Sequence, residues 1–258
     1  MAILYDGKTF DAKRTKDALV EWVRDWFNKN GPESVAVFGA SGGKDSTIAG
    51  AILKEALGKD RVMAVLMPNG VQPDINDSYE VVKSLNIPHV EINIATAYDG
   101  IIGQLLKAGL DVDNPAMKQN LAPRLRMSTL YAVAQTMNGR VVNTCNLSED
   151  YVGYSTRYGD SVGDFSPLSN FTVTELLDIG RLLKLPEFLV KKTPSDGLCG
   201  QSDEEKLGFT YAVLDRYIRT KEIDNEEIKE LIDKKHKQNL FKLQLMESFT
   251  PFGREEAE

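Results

Sequence analysis

The chain has 258 residues, of which 42% are hydrophobic and 27% charged, and its formal net charge is −7 at pH 7. This length fits one large α/β domain or two small ones, with enough apolar residues for a full core. The negative balance gives no indication of a nucleic-acid-binding surface, and no stretch approaches the roughly 20 apolar residues of a membrane span. The N-terminus lacks a signal-peptide core. We therefore expect neither a nucleic-acid partner nor a membrane partner.

The two cysteines, Cys145 and Cys199, are far apart in the sequence and form no C-x-x-C pair. Reduced thiols are usual in the cytoplasm, so a cytoplasmic protein is the simplest interpretation. Cys145 ends an apolar run, which predicts a buried and inert thiol.

Short apolar runs alternate with helix-periodic segments up to residue 145. The runs are typical of strands buried on both faces, and they lie at 35–38, 61–67, 89–94 and 140–144. Helical spacing of apolar residues occurs at 19–27, 47–57, 78–85, 98–108 and 117–137. We expect Pro123 to kink the last helix or to mark its true start. The alternation predicts an α/β fold, a parallel sheet with helices on both faces.

Beyond residue 145 the periodicity changes. The segment 146–170 is polar and rich in Tyr, Gly, Ser and Asp, which is typical of a long functional loop. Thr172 and Glu175 form a capping-box pattern before a helix to residue 183, and Ser202 and Glu205 form a second one. A further helix is expected around 226–237. We interpret the chain, 1–258, as a single domain with a C-terminal helical extension.

A loop of small residues, Ser41-Gly-Gly-Lys-Asp-Ser46, joins the first predicted strand to the next helix. It fails the Walker pattern, because Phe38 and Asp45 stand where Gly and Ser or Thr are needed, and it fails the Rossmann pattern. Backbone N–H groups at such a helix start bind anions. Asp45 would repel phosphate unless Mg²⁺ lay between them, so the loop predicts a nucleotide site with a metal. The alternative is a Gly-Ser turn in which Asp45 caps a helix.

Three further stretches accompany this loop, at 120–131 (NLAPRLRMSTLY), 143–160 (NTCNLSEDYVGYSTRYGD) and 194–208 (PSDGLCGQSDEEKLG). With SGGKDS they resemble the ammonia-dependent NAD synthetases, which belong to the ATP pyrophosphatases with an adenine-nucleotide-hydrolase-like sheet. The resemblance runs from about residue 27 to about residue 217. It implies a homodimer whose open parallel sheet has about five strands. It also implies that ATP, Mg²⁺ and ammonia are used to convert deamido-NAD to NAD, AMP and pyrophosphate through an adenylated carboxylate.

The resemblance also implies roles for individual residues. Asp45 and Glu149 would be the catalytic metal ligands. The implied ATP contacts are Gly39, Ser41, Gly42, Gly43, Lys44, Asp45, Ser46, Thr144 and Ser195. The implied deamido-NAD contacts are Arg124, Arg157, Asp164 and Lys242. Without the resemblance, Glu149 would be interpreted as a solvated loop acid and Ser195 as part of a Pro-Ser turn. Lys44 stands at a variable loop position, where the motif does not require phosphate contact.

Other matching positions leave alternatives open. Arg126 fits the N-x-x-x-R-x-R pattern of the family, but an ion pair on a helix face explains it equally well. Gln72 and Asp74 match a loop that orders over the reacting groups, or a polar turn at Pro73. 

The chain also departs from many family members at three places. Val173 replaces a Lys that touches ATP, and Arg157 replaces a Lys with charge conserved. Phe241-Lys242-Leu243 stands where many relatives have His-Lys-Arg, so the contact of this tail with deamido-NAD is expected to be weak.

Two other kinds of function remain as alternatives. One is another adenylating enzyme of the same superfamily, resembling a GMP synthetase or a tRNA-thiolating enzyme, although the chain has no cysteine pair for thiolation. The other is an ATP-binding module without turnover. The short segment before the first strand leaves no room for a glutaminase domain, which predicts free ammonia or ammonia from a partner. The apolar faces at 98–110 and 117–137 are candidate dimer surfaces.

Overall fold

The protein is described by a computed structural model, in which residues 10–186, 188, 203–246 and 248–249 are defined. Its centre is a parallel sheet with the strand order β3–β2–β1–β4. The strands are β1 (Val35–Gly39), β2 (Val62–Leu66), β3 (His89–Glu91) and β4 (Gly139–Val141). Ala36 lies opposite Val62 on one side and Arg140 on the other. The predicted α/β fold with a parallel sheet is therefore confirmed.

The expectation of about five strands is wrong, because the described residues form a sheet of four. A fifth segment begins beside β4 but makes only an isolated parallel bridge, between Val142 and Phe165. There the carboxylate of Asp164 accepts the backbone N–H of Val141 at 2.7 Å, while the Asp164 N–H donates to the Val141 carbonyl at 2.7 Å. A side chain thus replaces part of the backbone ladder, and the segment satisfies the edge of β4 without becoming a strand.

Helices surround the sheet and continue beyond it. Within the described part of the chain they are α1 (Ala12–Asn30), α2 (Lys44–Leu57), α3 (Ile75–Leu85), α4 (Ala95–Lys107), α5 (Pro115–Thr136), α6 (Leu147–Tyr151), α7 (Val173–Leu182), α8 (Asp203–Leu207), α9 (Tyr211–Thr220) and α10 (Glu226–Leu243). None of the helices in these ranges has both the length and the apolar character needed to cross a bilayer. The last helix extends past the predicted end at residue 237.

The start of α5 contradicts one of the two expectations for Pro123, namely that it marks the start of the helix. Asn114 caps this helix by accepting the Met117 N–H at 3.1 Å, and Pro115 occupies the first turn. Proline is favoured there because its missing N–H would have no helical partner. Pro123 lies inside the helix and does not mark its start.

Successive side chains of the strands point to opposite faces of the sheet and pack into two separate apolar layers. Ala36 and Phe38 pack with α1, α2, α3 and α7 on one face, whereas Val37 and Val65 pack with α5 on the other. This alternation follows from the two-residue period of a strand, and it explains the continuous apolar runs in the sequence. Helices therefore cover both faces, as predicted.

The C-terminal helical extension has an apolar core of its own, built from α6 to α10. Asp215 of α9 joins α6 and α7 within this extension, and α7 also packs against α1 and α2, which cover the sheet. Its buried carboxylate accepts the Ser148 hydroxyl at 2.5 Å, and the Thr174 N–H and hydroxyl at 2.8 and 2.6 Å. At the same end of α7, Thr172 and Glu175 form the predicted capping box. Residue 202, where the second capping-box pattern begins, lies outside the described residues.

Asp215→Ala should destabilise the protein, because it removes a buried acceptor from three donors. We expect the free energy of unfolding in urea to fall by about 3 kcal/mol. The matched control is Asp25→Ala on the exposed side of α1, for which we expect a change within about 0.5 kcal/mol. Equal effects of the two substitutions would contradict the role given to Asp215.

Candidate active site

The glycine loop lies where a nucleotide would meet the carboxyl end of β1. Gly42 has φ +78°, and a Cβ built on it would lie 2.7 Å from the Asp77 Cβ at the start of α3. Gly43 caps α2 without a side-chain hydrogen bond to the helix. The loop is therefore tightly curved and packed against α3, and it leaves backbone N–H groups at the helix start for an anion.

Hydroxyl groups hold the shape of this loop. Ser46 and Thr47 donate their hydroxyls to the Gly43 carbonyl, at 3.1 and 2.7 Å. The Ser41 hydroxyl accepts the Gly43 N–H at 3.3 Å and lies 3.1 Å from the Ser46 hydroxyl. The sequence-predicted loop residues thus converge on one small cradle with two hydroxyls at its centre.

Two acids that are distant in the sequence meet beside the loop. Asp45 lies in the first turn of α2, directly after β1, and Glu149 lies in α6, just after β4. Because β1 and β4 are parallel neighbours, their carboxyl ends meet at one edge of the sheet. The Lys44 ammonium lies between the acids, 2.9 Å from Asp45 Oδ2 and 3.7 Å from Glu149 Oε1.

Burial is the largest influence on the pKa values of Glu149 and Lys44. It raises the pKa of Glu149, and repulsion from Asp45 raises it further, while Lys44 acts in the opposite direction. Burial alone would lower the pKa of Lys44, but the charges of Asp45 and Glu149 outweigh it and the pKa of Lys44 rises. Both acids can therefore be ionised together only with a cation beside them, and the Lys44 ammonium lies in that position.

Asn146 orients both acids, a role that the sequence reasoning missed. Its amide donates to Asp45 Oδ2 at 3.2 Å, and its carbonyl oxygen accepts the Glu149 N–H at 3.0 Å as the N-cap of α6. The side chain is completely buried. An Asn three residues before Glu at a helix start was the available signal.

The donor set fits Mg²⁺. Asp45 Oδ1 is buried and has no hydrogen-bond partner, so one ligand atom is available. Among the described residues no group of three or more His, Cys, Asp or Glu side chains could hold a metal. Two carboxylates are nevertheless the usual protein share of a Mg²⁺ site, which is completed by substrate phosphates and water. The arrangement therefore suits a metal that arrives with a nucleotide.

The C-terminal extension supplies a second wall of the cleft, which the sequence reasoning also missed. The Tyr211 hydroxyl is buried without a hydrogen-bond partner, and burial together with the charge of Glu149 raises its pKa. Asp203 accepts the Tyr154 hydroxyl at 2.9 Å and adds negative charge near Lys44. Val173 is buried in the apolar core of the extension, so this wall has no cation at that position.

Three of the four expected deamido-NAD residues gather near a cavity of about 440 Å³. Arg157 and Lys242 line it, and the Arg124 Nε donates to the Arg157 carbonyl at 3.3 Å. Lys242 donates to the carbonyls of Gly153 and Ser155, at 2.7 and 3.1 Å. The Arg157 guanidinium lies 5.4 Å from the ring centre of Phe241.

Asp164 is the fourth residue expected to contact deamido-NAD. Its carboxylate accepts the Val141 N–H at the edge of the sheet, which is a structural contact. Thr144 is half-buried in the segment that joins β4 to α6. Ser195 lies outside the described residues.

The thiol of Cys145 is buried, and its Sγ lies 3.1 Å from the Asp160 carbonyl oxygen. Burial raises the pKa of this thiol, which agrees with the expectation that it is inert.

Arg126, Gln72 and Asp74, whose roles the sequence leaves open, lie at the same edge of the sheet. Arg126 donates from Nε to the Met67 carbonyl at 3.0 Å, just beyond β2. Its surroundings include the charges of Asp160 and Asp74. The Gln72 amide donates to Asp74 Oδ1 at 2.8 Å, which is the contact of a polar turn before α3. 

An open parallel sheet, a glycine loop at its carboxyl edge and an acid in the helix that follows each of two neighbouring strands define an α/β enzyme of the ATP pyrophosphatase type. The sequence model of the NAD synthase family matches residues 15–251. The chain belongs to this family.

Individual relatives agree with this assignment. An NH(3)-dependent NAD(+) synthetase from Finegoldia magna is 36% identical over 92% of this chain and 96% of the relative. An NMN synthetase structure from Francisella tularensis has a TM-score of 0.84 at 33% identity, covering 95% of this chain and 100% of that one. An NH3-dependent NAD synthetase from Campylobacter jejuni has a TM-score of 0.74 at 26% identity, covering 94% and 100%.

Gly42→Ala should destabilise the loop through both backbone strain and steric overlap with Asp77. We expect the free energy of unfolding in urea to fall by about 3 kcal/mol. Gly70→Ala is the matched control, because Gly70 also has positive φ, +74°, but open space around its Cβ position. That control should lose about 1 kcal/mol. If both variants lost the same amount, the close packing of the loop on α3 would not matter for stability.

Proposed function

We propose that the protein joins ammonia to the nicotinate carboxylate of deamido-NAD, with ATP split into AMP and pyrophosphate. The observation that carries this proposal is the pair Asp45 and Glu149, held in one cleft beside an anion-binding loop. The family assignment and the relatives named as NH(3)-dependent NAD(+) synthetases support it over GMP synthetase-like or tRNA-thiolating chemistry. They also favour it over an ATP-binding module without turnover.

In the first step a carboxylate oxygen of the substrate attacks the α-phosphorus of ATP, and pyrophosphate leaves. The N–H groups of the glycine loop and the hydroxyls of Ser41 and Ser46 would hold the departing pyrophosphate. Asp45 and Glu149 would hold Mg²⁺, which offsets the charge of the phosphates when it is bound. Further ATP contacts are proposed at Gly39, Thr144 and Ser195, as the resemblance implies.

In the second step ammonia attacks the carbonyl carbon of the adenylated carboxylate. AMP leaves with the former carboxylate oxygen, and the nitrogen loses one proton to give the amide. Arg124, Arg157 and Lys242 provide three cations near the cavity of about 440 Å³, which suits the phosphates of a nicotinate nucleotide. Asp164 remains a proposed substrate contact, in addition to its bond with the sheet edge.

The same chemistry would serve nicotinate mononucleotide as a second candidate substrate. The observation that favours it is the similarity over 95% of the chain to the NMN synthetase from Francisella tularensis, with a TM-score of 0.84. Both candidates present a nicotinate carboxylate and a 5′-phosphate. They differ in the adenylate half, so the ratio of kcat/KM for the two nucleotides decides between them.

We propose free ammonia as the nitrogen source and a single domain without glutaminase activity. The support is that the Finegoldia magna relative is named NH(3)-dependent and that the match spans 96% of its length. A cytoplasmic location is part of this proposal, and the free thiol of Cys145 agrees with it.

The purified protein with ATP, Mg²⁺, ammonium and deamido-NAD should form NAD, AMP and pyrophosphate in equal amounts. Asp45→Asn and Glu149→Gln should each lower kcat by about a hundredfold, because each removes a charge that holds the metal. Coupled detection of NAD and pyrophosphate measures both products. Asp25→Asn and Glu227→Gln, at exposed helix positions, serve as controls and should retain the parent rate. Parent rates in the two cleft variants would contradict the proposed function, and pyrophosphate release without amide formation would contradict the amidation step.

We also propose a homodimer formed through α4. None of the residues of this helix is buried, and the apolar side chains of Ile101 and Leu106, with Leu110 just beyond, are exposed. An uncovered apolar face of this kind is typical of an interface, and a second copy of the chain is the partner implied by the resemblance.

Leu106→Glu should convert the dimer to a monomer, because it places a charge in the apolar contact. Sedimentation equilibrium measures the change, with twice the chain mass expected for the parent protein. Leu182→Glu, at an exposed apolar position at the end of α7, is the control and should remain dimeric. A monomeric parent protein, or a Leu106 variant that stays dimeric, would contradict this interface.

A further inference from the structure

The Lys44 ammonium lies between the two acids that are proposed as metal ligands. Only 5% of the Lys44 side chain is exposed. Its ammonium lies 2.9 Å from Asp45 Oδ2 and 3.7 Å from Glu149 Oε1, and 5.7 Å from the ring centre of Tyr211. Asp203 adds negative charge to the same surroundings. The ammonium is therefore held in a built cleft, with acids and an aromatic face around it.

A divalent cation bound to oxygens of both acids would compete with the ammonium for the space between them. Mg²⁺ needs short contacts with carboxylate oxygens, and Lys44 already bonds to one Asp45 oxygen and lies against Glu149. A metal in the cleft would also place two positive charges beside a third in buried surroundings, where repulsion is strong. Metal binding therefore requires the ammonium to leave, and the ammonium then needs another anion.

The nearest place for such an anion is the glycine loop itself. Lys44 is the first residue of α2, directly after Gly43, so its flexible stem begins at the loop that would hold phosphates. We propose that Lys44 is a positioning residue that fills the metal cleft in the nucleotide-free protein and moves to the ATP phosphates when Mg²⁺ takes Asp45 and Glu149. Metal and nucleotide would then bind together rather than independently. This inference rests on the proposed function, because it takes Asp45 and Glu149 as the metal ligands.

The test is the affinity of the nucleotide-free protein for Mn²⁺, used as a paramagnetic substitute for Mg²⁺ and measured by titration with electron paramagnetic resonance. Lys44→Met should bind Mn²⁺ about tenfold more tightly than the parent protein, because the competing ammonium is gone. Lys44→Gln is a second variant in case Met destabilises the buried site, and circular dichroism checks the folding of both. Lys44→Arg should bind as weakly as the parent. Lys59→Met, just beyond the C-terminal end of α2, is the matched control and should leave the affinity unchanged.

Equal Mn²⁺ affinity of the parent and of the folded Lys44→Met and Lys44→Gln variants would overturn the inference. Adding Asp45→Asn to Lys44→Met should abolish the gained affinity, whereas a persistent gain would also overturn it, since the metal would then bind elsewhere. NAD formation by the parent protein is measured separately. A parent that forms NAD while Lys44→Met gains no Mn²⁺ affinity therefore refutes the exchange and leaves the proposed function standing.

Discussion

The fold places two acids in one buried cleft, and the rest of the site depends on this placement. Asp45 and Glu149 are brought together because β1 and β4 are parallel neighbours whose carboxyl ends share an edge. Two buried carboxylates repel each other unless a cation or hydrogen-bond donor separates them. Lys44 and Asn146 provide this compensation in the protein as described. Phosphate, metal and substrate would all bind against this arrangement.

Each part of the chain contributes differently to the cleft. The sheet and α2 provide the glycine loop, whose shape depends on the contact of Gly42 with α3. The C-terminal extension provides Tyr211, Asp203 and Lys242, whereas Arg124 lies in α5 and Arg157 in the segment between α6 and α7. Asp215 of α9 joins the helices of the extension, because it accepts hydrogen bonds from Ser148 in α6 and from Thr174 in α7, and α7 in turn packs against α1 and α2. The stability of the extension and the geometry around Glu149 are therefore linked through α6.

The sequence predicted the features that follow from local pattern. Apolar runs located the four strands, and the SGGKDS loop together with the resemblance located Asp45 and Glu149. The contacts of Asn146 with Asp45, of Lys44 with Glu149 and of Tyr211 with the cleft were not predictable, because each joins segments that are distant in the chain. The fifth strand was overcounted because Asp164 uses its side chain where a strand would use its backbone. Pro123 does not mark the start of α5, because a cap at Asn114, nine residues earlier, starts the helix.

The most direct test of the account is the position of a metal in a crystal of the protein grown with Mn²⁺ and a non-hydrolysable ATP analogue. The anomalous scattering of Mn²⁺ identifies the ion independently of the surrounding atoms. The account predicts one anomalous peak within bonding distance of carboxylate oxygens of both Asp45 and Glu149, and of the phosphates held by the glycine loop. A peak bonded to the phosphates but to neither acid, or a nucleotide bound away from the loop, would contradict it.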